Sequence, residues 1–249
     1  MAPFGYLAFA VALRVKHDPN RRARQLQNIQ HRAFWLMHRW IEALRLVRLA
    51  ARSDAHGSIP NQPCVVVANH PTLLDVTAIM AVFGGMCTVV KPRLFRAWWL
   101  HALMRGARHI EGATAPTGAA KVVQAAVSRI KHGHRVLIFP EGTRSPEHGI
   151  SAFGRTAFEI ACRANVAIWP VWVRCDPPYL TKTTPLHRLP FPPPVLEITP
   201  MAPHQPADYG HDSKAMQRAV MEIYRRRVSE EHSRPQAVER AVELKKRDC

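Results

Sequence analysis

Acidic residues are scarce in this chain, with 18 Asp and Glu against 35 Lys and Arg and a formal net charge of +17. A surface of that sign seeks anions, and three partners fit it: nucleic acid, an anionic membrane surface, or a substrate that carries phosphate. No apolar run reaches the roughly 20 residues of a spanning helix. The longest one near the amino terminus, residues 1–13, has neither the basic start nor the small-residue cleavage site of a secretory signal. It reads as a short interfacial or core-docking segment. The cysteines are few and scattered (Cys64, Cys87, Cys162, Cys175 and Cys249), with no CxxC pair, which argues against a disulfide framework or a zinc ribbon and for a reducing, cytoplasmic-side location. The 14 His include no HExxH and no pair beside acidic ligands at metal spacing, so no metal is expected. GxGxxG, Walker A and GxSxG are all missing, which speaks against dinucleotide binding, P-loop chemistry and a nucleophile elbow.

A chain of 249 residues with 47% hydrophobic content can bury a substantial core. Over residues 24–50, Leu26, Ile29, Ala33, Met37, Trp40, Leu44 and Val47 recur at three- and four-residue steps, which predicts one long amphipathic helix. Its other faces carry Arg24, Arg32, Arg39, Arg45 and Arg48, with Trp35 and Trp40 nearby. That combination suits a helix lying on anionic headgroups, and equally a helix that caps the main domain with a solvated basic face. After Pro60 the pattern changes to short β-branched runs at 64–68, 87–90, 135–139, 166–173 and 195–199. Helical periodicity separates them at 72–82, 117–132 and 155–164. The alternation predicts an α/β domain with a largely parallel central sheet flanked by helices. Residues 177–206 are proline-dense and read as a loop interrupted by one strand, followed by a helix over 214–228 and a charged, solvated tail.

Two of the apolar runs end in dense polar clusters: CVVVA passes into NHPTLLD at residues 69–75, and RVLIF into PEGTRS at 140–145. Ligands of α/β sheets bind at the carboxyl ends of strands, so both clusters should open onto one cleft. Pro71 suits the first position of a helix, which places His70 on the turn before it and Asp75 about one turn inside. A His there can fold back onto a first-turn carboxylate. The carboxylate would then orient the imidazole, leaving its other nitrogen to take a proton from an attacking hydroxyl. In the second cluster Gly142 lets backbone approach a ligand, Arg144 offers a fork of donors suited to phosphate, and Glu141 can position Arg144 or another cation. Taken singly, His70 also fits a turn histidine satisfied by backbone, and any residue of the second cluster fits an ordinary polar turn.

Together the clusters resemble the NHxxxxD and FPEGTR signatures of the glycerolipid acyltransferases, the family typified by 1-acyl-glycerol-3-phosphate acyltransferase. Phe153 and Arg155 resemble the stretch that follows the second signature, and VAIWPVWV at 166–173 its last apolar strand; the likeness spans about residues 60–173. The resemblance implies that His70 is the general base, that Asp75 orients it, and that Asn69, Glu141, Gly142, Thr143 and Arg144 bind substrate. It implies an acyl-CoA or acyl carrier protein donor, a lysophospholipid or other hydroxylated lipid as acceptor, no cofactor, and peripheral attachment to the cytoplasmic face of the membrane. Residues 56–230 become the acyltransferase domain, with a membrane-associating helical segment over 1–55 and a charged tail over 231–249.

One position departs from the family pattern. Gly112 in GARHIEG, residues 106–112, stands where the family has a phosphate-holding Arg, and Lys91, Arg105 or Arg108 would have to compensate. Two other readings compete. A basic nucleic-acid-binding protein accounts for the charge but not for the clusters, and no recognisable RNA- or DNA-binding signature is present. A catalytically silent membrane scaffold of the same fold is opposed by the intact His70 and Asp75.

Overall fold

The computed structural model describes residues 18–51, 59–113, 118–146, 149–184 and 188–247, so the apolar stretch at 1–13 lies outside the described residues. β2 (Val65–Ala68) is buried along its whole length. A run of four small or β-branched apolar residues has no polar face to show to water, so both of its faces must be covered by other elements. Val65 and Val67 pack on one side of the sheet with Val136, Ile138, Ile168 and Trp172. Val66 and Ala68 pack on the other with Leu137, Val171 and Val173. This period of two runs through β2, β5 (Val136–Ile138) and β6 (Ile168–Asp176) and produces two cores, one on each side.

Seven strands form the sheet in the order β1-β7-β6-β2-β5-β3-β4. The outer members are β1 (Arg48–Ala51), β3 (Cys87–Val90), β4 (Ile110–Glu111) and β7 (Val195–Pro200). Every pairing is parallel except β6 with β7. α5 (Ala119–Lys131), α6 (Thr156–Ala164) and the final helix α7 (Ser213–Arg247) cover the first core, and α2 (Asp75–Phe83) covers the second together with the amino-terminal helix. Tyr224 of α7 is fully buried; its hydroxyl lies 2.8 Å from the Val67 carbonyl and 3.0 Å from that of Val171, and accepts from the Val171 N–H. These bonds tie α7 to the centre of the sheet beside Pro170, which has no N–H to give.

The amino-terminal helix α1 (Pro19–Ala43) is shorter than its periodicity predicts. Asp18 caps it, accepting from the Asn20 and Arg21 N–H groups, with proline at the first position. It stops where Arg45 enters the left-handed region, and the residues beyond join the sheet as β1, in register with β7 from Arg48 opposite Val195. The apolar spacing carries on to Val47 because Val47 is buried from the connection just before β1, not from a helix. Leu26 of the expected stripe is buried, with Ala23, but α1 also docks through polar side chains. Gln27 donates to the Ala107 carbonyl at 2.8 Å, Gln30 meets His109 at 3.0 Å, and His38 meets Thr77 at 3.0 Å. Ile29, Leu36, Trp40 and Leu44 instead point to solvent, Trp40 being 60% exposed.

Three more elements are not apparent from periodicity: β4, with only two residues, and the short helices α3 (Pro92–Phe95) and α4 (Trp98–Gly106). The last helix does not end near Val228 but continues to Arg247 through the segment read as a tail. Ion pairs one turn apart, Arg226 with Glu222 and Arg227 with Glu230, support it, and Glu231 still accepts from Trp172 Nε1 at 2.9 Å. Among the described residues no helix is long and apolar enough to cross a membrane.

Candidate active site

β2 and β5 are hydrogen-bonded neighbours, so the two polar clusters leave the same edge of the sheet side by side. Asn69 continues β2 with its side chain. Its amide donates to the Val173 carbonyl and accepts from the Val173 N–H, both at 2.8 Å, imitating one more rung of the ladder to β6. That bond pair holds the backbone straight until His70. It also buries Asn69 to 3% exposure, so the side chain acts on position rather than as an open contact surface.

The helix after His70 begins at Asp75, not at Pro71. The intervening N–H groups are used elsewhere: Thr72 donates to the Asp75 carboxylate at 2.9 Å, and Leu73 to the Leu180 carbonyl at 3.1 Å. The resulting turn swings His70 back over the start of α2. Its Nδ1 lies 2.8 Å from Asp75 Oδ2. The imidazole ring stacks on Phe139, with centroids 4.4 Å apart, and remains 19% exposed, while Asp75 is completely buried. Burial pushes the Asp75 carboxyl up to about 6; the hydrogen bond and charge of His70 and the Thr72 N–H oppose this, and the Glu141 charge adds to it. Among the described residues Oδ1 of Asp75 has no hydrogen-bond partner, which leaves Oδ2 as the working oxygen. With Nδ1 held by the carboxylate, Nε2 is the nitrogen free to exchange a proton with a ligand.

Glu141 does not reach Arg144. One of its oxygens accepts from the His70 N–H at 3.1 Å and from Ser145 Oγ at 2.5 Å; the other accepts from the Ser151 N–H at 2.7 Å. Ser145 Oγ in turn accepts from the His70 N–H at 3.0 Å, and its own N–H donates to the His70 carbonyl at 2.8 Å. The two clusters are thus locked together across 71 residues of chain by one carboxylate and one hydroxyl. Sequence reasoning does not single out Ser145 and Ser151. The only hint is the serine that ends FPEGTRS.

Arg144 donates from one nitrogen to the carbonyls of Leu180 and Thr181, at 3.0 and 2.6 Å, and so fastens the proline-rich loop to the turn. Gly142 has φ of 68° and open space where a Cβ would stand, so the turn needs glycine for its conformation and leaves room for a ligand. Thr143 is half-buried in the same turn. Lys91 is exposed at the carboxyl end of β3. Arg105 and Arg108 stand apart from this group. They lie at the end of α4 and in a left-handed turn before β4, three strands from β2.

The sequence pattern described as Acyltransferase matches residues 45–174, just over half of the chain. Human 1-acyl-sn-glycerol-3-phosphate acyltransferase alpha is 31% identical over 155 residues, covering 60% of this chain and 53% of that protein. The 1-acyl-sn-glycerol-3-phosphate acyltransferase of Pseudomonas aeruginosa is 27% identical over 136 residues, 52% of each. The chain therefore spans about half the length of the curated relatives it matches. The crystal structure of the 1-acyl-sn-glycerophosphate (LPA) acyltransferase PlsC from Thermotoga maritima shares the fold, with a TM-score of 0.68 at 19% identity over 92% of this chain and 89% of that one.

Proposed function

The chain belongs to the acyltransferase family, and from that premise we propose that it moves a fatty acyl group from a thioester, acyl-CoA or acyl carrier protein, to the hydroxyl of 1-acyl-glycerol-3-phosphate or a related lysophospholipid. The observation that carries the reading is the 2.8 Å contact between His70 Nδ1 and the buried Asp75. Asp75 holds the imidazole in the tautomer with hydrogen on Nδ1. Nε2 then takes the proton of the acceptor hydroxyl as its oxygen attacks the thioester carbonyl. The carbon–sulfur bond breaks, the thiolate collects the proton from Nε2, and an ester and a free thiol leave. No covalent enzyme intermediate and no cofactor enter this scheme. Glu141 and Ser145 serve it by holding the His70 backbone in place. The Gly142–Thr143–Arg144 turn offers the acceptor phosphate backbone and the part of the Arg144 guanidinium that does not hold the loop.

The test is lipid-dependent thiol release by the purified full chain from acyl-CoA and from acyl carrier protein, with the lipid product identified by mass spectrometry. Failure of every lysolipid to drive release with either donor sinks the proposal.

Attachment to the membrane is peripheral in this reading, on the cytoplasmic face. Its support is the outward face of α1, where Ile29, Leu36, Trp40 and Leu44 stand beside the exposed Arg32 and Arg39. Sedimentation with vesicles should show binding that rises with anionic lipid content and drops on Trp40→Ser. Equal binding to neutral and anionic vesicles contradicts it.

A further inference from the structure

Along the outer edge of β4 lies a cavity of about 810 Å³, bounded by α3, α4 and α5. That volume is within the range of small-molecule sites, roughly 300–1,000 Å³. Among the described residues five cations line it, Arg96, Arg105, Arg108, Lys121 and Arg129, against one carboxylate, Glu111. Glu111 is already bonded to Arg96 at 2.6 Å. Arg129 spends its Nε on the Arg108 carbonyl at 3.1 Å, which brings two guanidinium-bearing residues together without a carboxylate between them. Asp18, whose charge reaches Arg24 and Arg108, is fully exposed and has both oxygens taken by the Asn20 and Arg21 N–H groups. The crowding of positive charge is felt nearby. Burial and then the charges of Arg108, Arg24 and Arg129 hold His134 down at about 4, and burial followed by Arg108 lowers Arg129. Like charges gathered in a concave site raise the energy of the empty protein, and a bound polyanion relieves it.

The sheet order then decides which anion can be meant. β4 is separated from β2 by β3 and β5, three strand spacings, about 14 Å. In a 1-acyl-glycerol-3-phosphate only about four bonds of ~1.5 Å separate the free hydroxyl oxygen from phosphorus, so its phosphate cannot lie among these cations while its hydroxyl meets His70. A coenzyme A thioester is built differently. Its pantetheine arm puts about a dozen bonds, on the order of 15 Å when extended, between sulfur and the first phosphate.

We infer that the β4-edge cavity is the site of the acyl donor's phosphate-bearing nucleotide, the end of a coenzyme A thioester that takes no part in the chemistry. Arg105, Arg108, Lys121 and Arg129 bind its phosphates while the thioester reaches across β3 and β5 to His70. Gly112 belongs to the same design. It stands at the top of the cavity with its N–H on the Val90 carbonyl, and a side chain there would project from a Cβ only 3.2 Å from that oxygen. This assignment rests on the acyl-transfer reading above and deepens it. It moves Arg105 and Arg108 from the acceptor to the donor.

The experiment uses the full chain and the double variant Arg105→Ala/Lys121→Ala. Both side chains are exposed, so the melting temperature should not move. Free coenzyme A is titrated by calorimetry, and KM is measured for acyl-CoA, acyl-pantetheine, acyl carrier protein and the lysolipid. Wild type should bind coenzyme A, and the double variant about tenfold more weakly or worse, with a matching rise in KM for acyl-CoA. KM for acyl-pantetheine, which has no nucleotide, and for the lysolipid should stay unchanged. Equal binding of coenzyme A by both proteins, or none by wild type, overturns the assignment. So does a rise confined to the lysolipid, which returns the cations to the acceptor, or one confined to acyl carrier protein, which makes the patch a protein-docking surface. If no donor supports transfer at all, the acyl-transfer reading falls by itself, and the calorimetric comparison still decides whether the cavity holds the nucleotide.

Discussion

At the carboxyl ends of β2 and β5 most polar groups are already committed to one another, whereas along β4 five cations face a cavity that holds a single paired carboxylate. The first region is rigid because each bond fixes the next: Glu141 fixes the His70 backbone, and Asp75 fixes its ring. The second pairs Arg96 with Glu111 and leaves Arg105, Arg108 and Lys121 without a carboxylate partner among the described residues. Chemistry needs a side chain whose position is over-determined, while recognition of a polyanion needs donors with nothing else to bind. Removing a member of the first region should therefore damage turnover, and altering the second should change which substrates are accepted.

The largest break is expected at His70. His70→Ala should lower turnover by about 10²- to 10⁴-fold, the range of lost general-base catalysis, with little change in melting temperature. Near-normal turnover would move the chemistry out of the first region altogether.

Asp75→Asn should also reduce turnover sharply, and its signature is a dependence on pH. Burial raises the Asp75 carboxyl from 3.8 to about 6. Its contribution to stability is then fully present below its unfolded value and lost as pH rises through about 6. An asparagine cannot ionise. Relative to wild type, the variant should gain stability between pH 4 and pH 7, as read from denaturant midpoints at the two pH values. Wild-type kcat/KM should fall as pH drops below about 6 and the carboxylate takes up a proton. A midpoint difference that does not vary with pH would show that Asp75 does not titrate in this interval.

Glu141→Gln tests whether the lock between the clusters matters. The amide loses one accepting oxygen, and either the Ser151 N–H or the Ser145 hydroxyl loses its acceptor, the His70 N–H keeping only Ser145 Oγ in the second case. A loss of about 1–3 kcal/mol in stability is expected from hydrogen bonds to a charged group. Turnover should drop by about tenfold as His70 loosens, with KM for the donor unchanged. A rise in donor KM alone would show that Glu141 serves binding instead.

The smallest effect is expected from Gly112→Arg, which adds a cation to the lining of the second region. Its φ lies outside the left-handed range, so a side chain is allowed, and the 3.2 Å approach to Val90 should cost about 1 kcal/mol. The variant should change KM for acyl-CoA by about two- to threefold and leave the preference between a phosphorylated acceptor and its dephosphorylated counterpart as in wild type. A shift in that preference toward the phosphorylated acceptor would place this position on the acceptor phosphate and count against the donor assignment of the cavity.

Legibility in the sequence follows the same division. Both clusters can be read there because each lies within seven contiguous residues at the end of an apolar strand, where local spacing alone places side chains near one another. β4 cannot, since two residues carry no period. The role of Glu141 differs from its expectation because its partners, His70 and Ser151, are 71 and 10 residues away, and no local rule connects them. Arg144 looks free for phosphate in the sequence, yet it binds Leu180 and Thr181 in a loop whose path proline composition does not specify. For α1, periodicity predicts amphipathicity but not which face turns inward. Beside the buried Ala23 and Leu26, the side chains that dock it include Gln27, Gln30 and His38, polar residues that an apolar pattern overlooks.

Short-range properties of the chain, its strand and helix periods and a five-residue fold-back, suffice for the α/β alternation, the parallel character of the sheet and the identity of the His–Asp pair. They do not suffice for the position of β4 three strands from His70, for the cavity its flanking cations share, or for the outward turn of the apolar stripe on α1. Charge and hydrophobicity are written residue by residue, but neighbours brought together by sheet order are not: strand pairing is settled by packing over the whole core, and only then is it known which charges meet.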